Sequence, residues 1–492
     1  MSLWNVTNAP DYQDDEGTYT AQAISTTQGS LAPYTYWYDH PPLGWIQLGA
    51  LAWIQRLFGF DSGTEIGNMR YVMSIFFVVN SVLIFLIARR LRIRMAFSLL
   101  AVALGCLSPL SLVLGRQVFL DNIGTPWLLL AFYLALSPRL SLWLHVGAGL
   151  CFAVAVLSKE TLAIFGPALL IALLHRSQWR TRAFSLVGFL TVGALTLSFY
   201  PLVALLRGEL LAGAGHVSLQ DALVYQFFSR SGSGNLWEQG SGRAQLVDGW
   251  MYYDKYLIVA GLVAAVIALF RQRSRWLSAG IALFVLPVVL GTGYLPTMYV
   301  IAAIPLLVLA IAMAADILWS AARRVGPSGS VLRRTVSGLT AASMVGGLLV
   351  MALPQWFEQD ATLLASQNNS DWYLALEWTK TNVPRSETVL TPYSMWQDLR
   401  SSGWNGPWQV IALEKMDLDS AVAVHHPHGW QEVQWVIEGP TVKPNIKFLN
   451  LTNAGLTLDH SRIVQSFGAW HIRKVITSQE APPVPAHDGV QP

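Results

Sequence analysis

Asp14-Asp15-Glu16-Gly17-Thr18-Tyr19, followed by Asp39-His40-Pro41-Pro42-Leu43, stands just ahead of a long series of apolar segments. Acidic side chains are costly inside a bilayer, so carboxylates at the head of such a series belong at the water interface. Residues 41–60 (PPLGWIQLGALAWIQRLFGF) are apolar too. Gln47, Gln55, Arg56, the two tryptophans and the two prolines predict a helix lying in the interface instead of crossing it. The choice decides the topology, because counting this stretch as a span would invert every later loop.

Of the 492 residues, 53% are hydrophobic and 12% charged, with a mean hydropathy of +0.42. These values exclude an ordinary soluble protein of this length. Runs of about 17–25 apolar residues can each cross a bilayer as a helix. Ten spans are predicted: 68–88, 95–114, 122–137, 142–157, 161–175, 183–205, 255–270, 276–293, 297–319 and 334–353. Arginines follow every second one: Arg89, Arg90, Arg92 and Arg94, then Arg139, then Arg176, Arg180 and Arg182, then Arg271, Arg273 and Arg275, then Arg323, Arg324, Arg333 and Arg334. Basic loops face the cytoplasm. The acidic N-terminal stretch, Asp121, the 207–254 loop and the C-terminal region are then expected outside, in a multi-pass plasma-membrane protein of bacterial type. The net charge of +3 follows from this asymmetry and points to no nucleic-acid partner. Cys106 and Cys151 are the only cysteines and both fall in predicted spans, so neither a disulfide framework nor a cysteine metal site is expected.

The predicted fold class is mostly α: a polytopic helical membrane domain followed by a small soluble α/β domain. Residues 1–67 read as an external acidic loop with interfacial helices and 68–354 as the membrane domain. Residues 355–480 read as an extracytoplasmic α/β domain, and 481–492 as a disordered tail. Helices are predicted at 371–381 and 394–400, and strands at 388–390, 410–412, 433–437 and 472–476, an alternation that suggests some parallel pairing.

The order Asp-Glu-x-x-Tyr and then His-Pro-Pro-Leu resembles the first external loop of the C-type glycosyltransferases, multi-spanning enzymes that take sugars from polyprenyl phosphates. The likeness is to the protein O-mannosyltransferases and lipid A aminoarabinose transferases, over roughly residues 10–350. In those families a membrane helix directly precedes the Asp-Glu motif, often ending in a stretch like Leu3-Trp4-Asn5, so a further helix ahead of residue 1 is expected.

The resemblance implies transfer of a sugar to a hydroxyl acceptor on a protein, lipid or glycan, with inversion. Such a reaction needs a base for the acceptor proton and stabilisation of the leaving phosphate. The resemblance makes Asp15 the base, supported by Glu16 and Tyr19; a one-residue shift would give Asp14 that role. His40 stands where the aminoarabinose transferase pattern has a phosphate-contacting lysine, or else it caps the interfacial helix. The relatives carry a second acidic residue where Asp121 stands, and this residue orients the acceptor, helps hold a metal, or pairs with Arg116. Arg116 is itself a donor-phosphate candidate. Lys159, beside Glu160 at a helix junction, resembles the position of the family's Thr-Lys-Gly and suits either a phosphate or lipid headgroups. Arg230, in the Gly/Ser-rich tract SRSGSGNLWEQGSGR of the 207–254 loop, reads as part of a mobile lid or of a plain linker. Asp39, Asp121 and His216 are the candidate ligands for a divalent metal (Mg, Mn or Zn). Asp417-Leu418-Asp419 and His425, His426 and His428 are read as surface features and are assigned no catalytic part. The expected partners are a polyprenyl-phosphate-linked sugar, a hydroxyl acceptor and the bilayer. The rival class is a transporter or lipid-linked sugar flippase, against which stands the scarcity of ionisable residues at the span centres.

Overall fold

The computed structural model describes residues 1–137, 142–213, 216–291, 293–324, 331–404 and 408–476. Arg139, the side chains of Arg323, Arg324, Arg333 and Arg334, and the tail 481–492 lie outside the described residues. The chain forms two compact units. Met1–Pro10, Gln22–Leu31 and Tyr36–Ser366 make the first, and Asp11–Ala21, Ala32–Thr35 and the chain from Gln367 onward make the second. The expected boundary at 355 is therefore redrawn, because the acidic motif groups with the C-terminal region.

The first unit is helical. Its elements begin with α1 (Asp14–Thr27, shared between the two units), α2 (Leu43–Leu57), α3 (Glu65–Arg90), α4 (Met95–Leu107), α5 (Pro109–Arg116), α6 (Leu120–Ala135) and α7 (Leu142–Ser158). They continue with α8 (Gly166–Arg176), α9 (Arg182–Leu197), α10 (Phe199–Leu206), α11 (Leu219–Val224), α12 (Gly242–Leu269), α13 (Arg275–Leu290), α14 (Ala303–Arg324) and α15 (Val331–Ala365). Among the described residues five helices are long and apolar enough to cross a membrane, or six if α4 and α5, bent by 60° at Ser108, form one span. Ten spans were predicted, and the remaining four fall on shorter helices or inside α15. The segments at 122–137, 142–157 and 161–175 became helices of 16, 17 and 11 residues, and 334–353 lies inside α15. The cause of the shortening at 161–175 is local: α7 stops at Ser158, and the 3-10 turn Glu160–Phe165 intervenes before Gly166-Pro167 starts α8. Proline suits a first helical turn, where its missing N–H costs nothing. α12 outruns its predicted span because a polar extension from Gly242 joins it across a kink at Asp254 (φ −156°, ψ 74°). There Ser108 Oγ donates to Asp254 Oδ2 at 2.6 Å, so the backbone break has a bonded carboxylate to hold it.

Helix α2 is amphipathic within apolar limits. Gly44, Trp45, Leu48, Gly49 and Ala52 are buried, while Trp53, Ile54, Leu57 and Phe58 are exposed. At fifteen residues it is shorter than the span-length helices.

The second unit holds a five-stranded sheet of order β2-β1-β3-β5-β4, built from β1 (Val389–Thr391), β2 (Val410–Ala412), β3 (Trp435–Glu438), β4 (Ser461–Phe467) and β5 (Trp470–Val475). The pairs β1–β2 and β1–β3 are parallel, with Val389 opposite both Val410 and Trp435; β3–β5 and β4–β5 are antiparallel. Helices α16 (Ser370–Asn382) and α17 (Tyr393–Arg400) fall where helix was predicted. The edge strand β4 was missed: its SRIVQSF sequence is mostly exposed and carries a bulge between Ile463 and Gln465, so it lacks the alternation of a half-buried strand. Four further helices, α18 (Lys415–Leu418), α19 (Ser420–His425), α20 (Val442–Leu449) and α21 (Thr452–Asp459), complete the unit.

Candidate functional site

In the first unit the break after α7 gives Lys159 an extended backbone (φ −154°, ψ 111°) and turns its side chain inward, where it is 2% exposed. Its Nζ lies 3.2 Å from His40 Nε2 and 3.7 Å from Glu160 Oε1. The other carboxylate oxygen, Glu160 Oε2, is 3.0 Å from His40 Nδ1. Partial burial would raise the Glu160 carboxyl, but His40 and Lys159 hold it well below the usual carboxylate range. Asp121, in the first turn of α6, is 1% exposed and lies in the field of Lys159, Glu160 and His40. Its Oδ2 is buried without a hydrogen-bond partner. The position suits a carboxylate, since a helix N-terminus carries partial positive charge.

Close packing sets His40 against Lys159. A Cβ on Gly44 would meet the Ser158 carbonyl oxygen at 2.7 Å and Leu120 Cδ2 at 2.9 Å, so only glycine lets α2 approach the end of α7. Gln47 Nε2 donates to Ser158 Oγ at 2.8 Å and Trp127 Nε1 donates to Gln47 Oε1 at 2.7 Å, fastening α2 to α7 and α6. The loop before His40 is held by tyrosines. Tyr36 Oη donates to the His40 carbonyl at 2.5 Å, Tyr200 Oη to the Tyr38 carbonyl at 3.0 Å, and Tyr38 Oη to Glu209 Oε2 at 2.6 Å. Tyr38 sits at φ 56°, a left-handed conformation that costs a non-glycine residue about 1 kcal/mol or more; its ring packs 4.4 Å from that of Tyr36. Burial and the Glu209 carboxylate push the Tyr38 phenol up, so it remains a donor.

Several predicted site residues have other partners. Arg116 is 1% exposed, and its guanidinium donates to the carbonyls of Met1, Trp4 and Ala9 at 2.5, 3.0 and 3.3 Å. It secures the N-terminal segment and does not pair with Asp121 in the structure. Arg230 stacks over the Tyr294 ring at 3.6 Å and donates to Gln226 Oε1 at 2.8 Å. Asp39 lies in the field of the Tyr36 and Tyr200 phenols, and His216 Nε2 lies 3.3 Å from the Leu211 carbonyl. Among the described residues no three His, Cys, Asp or Glu side chains gather as metal ligands. Asp39, Asp121 and His216 therefore do not form the donor set expected of them.

In the second unit the three acidic residues of the motif have separated duties. Asp14 accepts from Ser394 N at 3.2 Å through Oδ1, and from Thr441 Oγ1 at 2.5 Å and Asn445 Nδ2 at 3.3 Å through Oδ2. It thereby sits at the N-terminus of α17, where a carboxylate is favoured. Glu16 is fully buried and accepts from Gln13 N at 3.1 Å, closing the start of α1. Gly17 packs on the Tyr393 carbonyl, where any Cβ would collide with the oxygen. Tyr19 is buried, whereas Asp15 is exposed. Asp417 accepts from Asn453 N and Ala454 N at 2.6 and 2.9 Å at the start of α21, and Asp419 pairs with Lys415 at 3.3 Å. His426 bonds Glu432 and the Trp408 carbonyl.

Sequence reasoning named His40, Lys159 and Asp121 but gave Glu160 no part, although it adjoins Lys159. It also passed over Tyr36, Tyr38, Tyr200 and Glu209. The signal for the first two was the aromatic run Tyr34-Thr35-Tyr36-Trp37-Tyr38; nothing local marked Tyr200 or Glu209.

Residues 39–204 match the model of the dolichyl-phosphate-mannose-protein mannosyltransferase family; His40, Asp121, Lys159 and Glu160 all fall inside that segment. No curated protein sequence matches the chain. Among solved structures, ArnT from Cupriavidus metallidurans in the apo state has a TM-score of 0.59 at 13% identity, covering 98% of this chain and 97% of that one. The same protein bound to undecaprenyl phosphate gives 0.58 at 14% identity, with the same 98% and 97% coverage. The oligosaccharyltransferase AglB from Archaeoglobus fulgidus, in complex with an inhibitory peptide and a dolichol-phosphate, gives 0.53 at 12%, covering 95% of this chain and 71% of that one. The chain thus has the C-type glycosyltransferase fold of ArnT and AglB, and its residues 39–204 match the dolichyl-phosphate-mannose-protein mannosyltransferase family.

Proposed function

We propose that the chain is a membrane glycosyltransferase that moves a sugar from a polyprenyl-phosphate donor to a hydroxyl acceptor, with inversion at the anomeric carbon. The observation that carries this reading is the contact of the buried Lys159 ammonium with His40, 3.2 Å apart, inside the family-matched segment. With its Nδ1–H donating to Glu160, His40 accepts from Lys159 through Nε2 and orients the ammonium, whose remaining N–H bonds suit the oxygens of a leaving phosphate. Glu160 balances the lysine charge. Asp121 sets the field behind them, its burial keeping that field unscreened.

In the proposed step the acceptor oxygen attacks the anomeric carbon as its O–H bond breaks. The proton passes to a carboxylate, which we assign to Asp15 from the resembling motif. The bond from the anomeric carbon to the phosphate oxygen breaks, its electron pair stays on the phosphate, and Lys159, held in place by His40, stabilises the added charge. The solved ArnT and AglB structures with undecaprenyl phosphate and dolichol-phosphate support a polyprenyl phosphate as the lipid. We further place the site on the extracytoplasmic side. In its support, Arg176 at the end of α8 is separated from the Glu160 turn by that helix, about 16 Å long, and basic ends face the cytoplasm.

The test uses purified protein, undecaprenyl-phosphate sugars of several types and a panel of hydroxyl acceptors. Release of free undecaprenyl phosphate that depends on acceptor, and is lost on substituting Lys159, is the expected result. Movement of intact sugar-lipid across vesicle bilayers with no release of free lipid phosphate would replace the transferase reading with a flippase.

A further inference from the structure

The first unit gathers arginines from three loops that are far apart in sequence. Arg94 Nη1 donates to Asp316 Oδ1 at 2.8 Å, and Arg273 Nη2 lies 3.9 Å from Asp316 Oδ2. Arg90 covers the Tyr133 ring at 3.6 Å and donates to the Tyr133 carbonyl at 2.5 Å. These three arginines are engaged. Arg92, Arg176 and Arg271 are not: among the described residues none of the three makes a side-chain hydrogen bond or ion pair. Arg176 lies in the field of Arg92 and Arg90, and Arg273 in that of Arg271, Asp316, Arg176 and Arg92. Six guanidinium groups from the ends of α3, α8 and α12 therefore converge with Asp316 as the carboxylate recorded among them.

An orientation signal needs only a count of arginines in a loop, and scattered, solvated ones serve it fully. It does not require them to crowd one another. Nor does it account for the Nε atoms of Arg176 and Arg273, which are buried without a hydrogen-bond partner. Arg176 and Arg271 are half-buried and Arg92 is exposed; like charges drawn together in this way call for an anion with several oxygen acceptors. Exposed aromatics adjoin the cluster in sequence: Trp179 and Phe270 are 83% and 82% exposed, and the Arg182 guanidinium lies 5.5 Å from the Trp179 ring centroid. Exposed aromatic rings of this kind mark the headgroup level of a bilayer.

We propose that Arg92, Arg176 and Arg271 form a binding site for the phosphate headgroup of an anionic membrane lipid, separate from the His40–Lys159 site. Basic pockets between membrane helices are the usual seat of such headgroups. The neighbouring Arg90, Arg94 and Arg273 shape the pocket through Tyr133 and Asp316, and the lipid phosphate supplies the acceptors that Arg176 lacks.

The test is retention of defined lipid by the intact purified chain, measured by native mass spectrometry after exposure to phosphatidylglycerol or phosphatidylcholine vesicles. Retention of phosphatidylglycerol well above phosphatidylcholine is expected, falling about fivefold for each of Arg92→Gln, Arg176→Gln and Arg271→Gln. Arg176→Lys keeps the charge and should retain most of the binding, which separates loss of the site from loss of the fold. Equal retention of the two lipids, or unchanged retention in the triple glutamine variant, would overturn the proposal. So would competition by millimolar inorganic phosphate that removes all bound lipid, since the site would then be one for free anions.

Discussion

Lys159 Nζ lies 3.2 Å from His40 Nε2, a contact between side chains 119 residues apart in the chain. A lysine 2% exposed is tolerated only with compensating charge, because removing an ammonium from water is expensive. Glu160 and Asp121 supply that charge.

Lys159→Met should weaken donor binding by roughly thirtyfold, the worth of one charge-assisted hydrogen bond of about 2 kcal/mol. It appears as a raised KM for the polyprenyl-phosphate sugar. Lys159→Arg should recover part of the loss. Unaltered donor affinity in the methionine variant, with the protein folded, would remove Lys159 from the site.

Asp15→Asn keeps shape but cannot accept a proton. Turnover should fall by about 10²–10⁴ while donor binding, followed by lipid retention, persists. Near-normal turnover would show that the acceptor proton goes elsewhere.

Asp14→Ala should act on stability instead. It removes a carboxylate that accepts from Ser394 N, Thr441 Oγ1 and Asn445 Nδ2, and the loss should be on the order of 3 kcal/mol. Hydrogen exchange should show α17 and α20 loosened. A fully stable Asp14→Ala protein with dead chemistry would reverse the assignments of the two aspartates.

Gly44→Ala forces a methyl group into the Ser158 carbonyl and should cost about 1–3 kcal/mol through the displaced α2. Activity should fall with it, since α2 begins two residues after Pro41 and carries the His40 turn. A variant with a lowered melting temperature and unchanged donor KM would mean that the turn is set without α2.

Burial, with the nearby Asp14 and Asp15 charges, pushes Glu414 up to about 7. A carboxyl with a raised folded pKa favours the folded state below its unfolded value near 4.5, and this contribution is lost as pH rises through about 7. Glu414→Gln should therefore match the parent near pH 4 and become the more stable of the two by pH 8. The gain should be on the order of 3 kcal/mol. Parallel melting temperatures across that range would mean that Glu414 ionises freely.

His40 and Lys159 were marked before folding by the resemblance of the His-Pro-Pro-Leu stretch and the Lys159-Glu160 junction to motifs of the C-type glycosyltransferases. The C-terminal strands at 388–390, 410–412, 433–437 and 472–476 announced themselves by short apolar runs between turn residues. Helix lengths were less legible: the run at 161–175 became an 11-residue helix because the 3-10 turn Glu160–Phe165 takes its first residues.

By itself the sequence determined the class of protein, a helical membrane chain with an α/β appendage, since composition and apolar run length act locally and need no partner. It also determined which residue types were available for phosphate chemistry. Only the tertiary structure decided which of them meet. Arg116 and Lys159 look alike as single cations beside apolar runs, but the backbone carbonyls of Met1, Trp4 and Ala9 surround one and His40 and Glu160 the other. The approach of α2 to the end of α7 at Gly44, a contact between segments more than a hundred residues apart, brings His40 to Lys159. A local reading of the chain contains no trace of such a contact, because it exists only once the helices have packed.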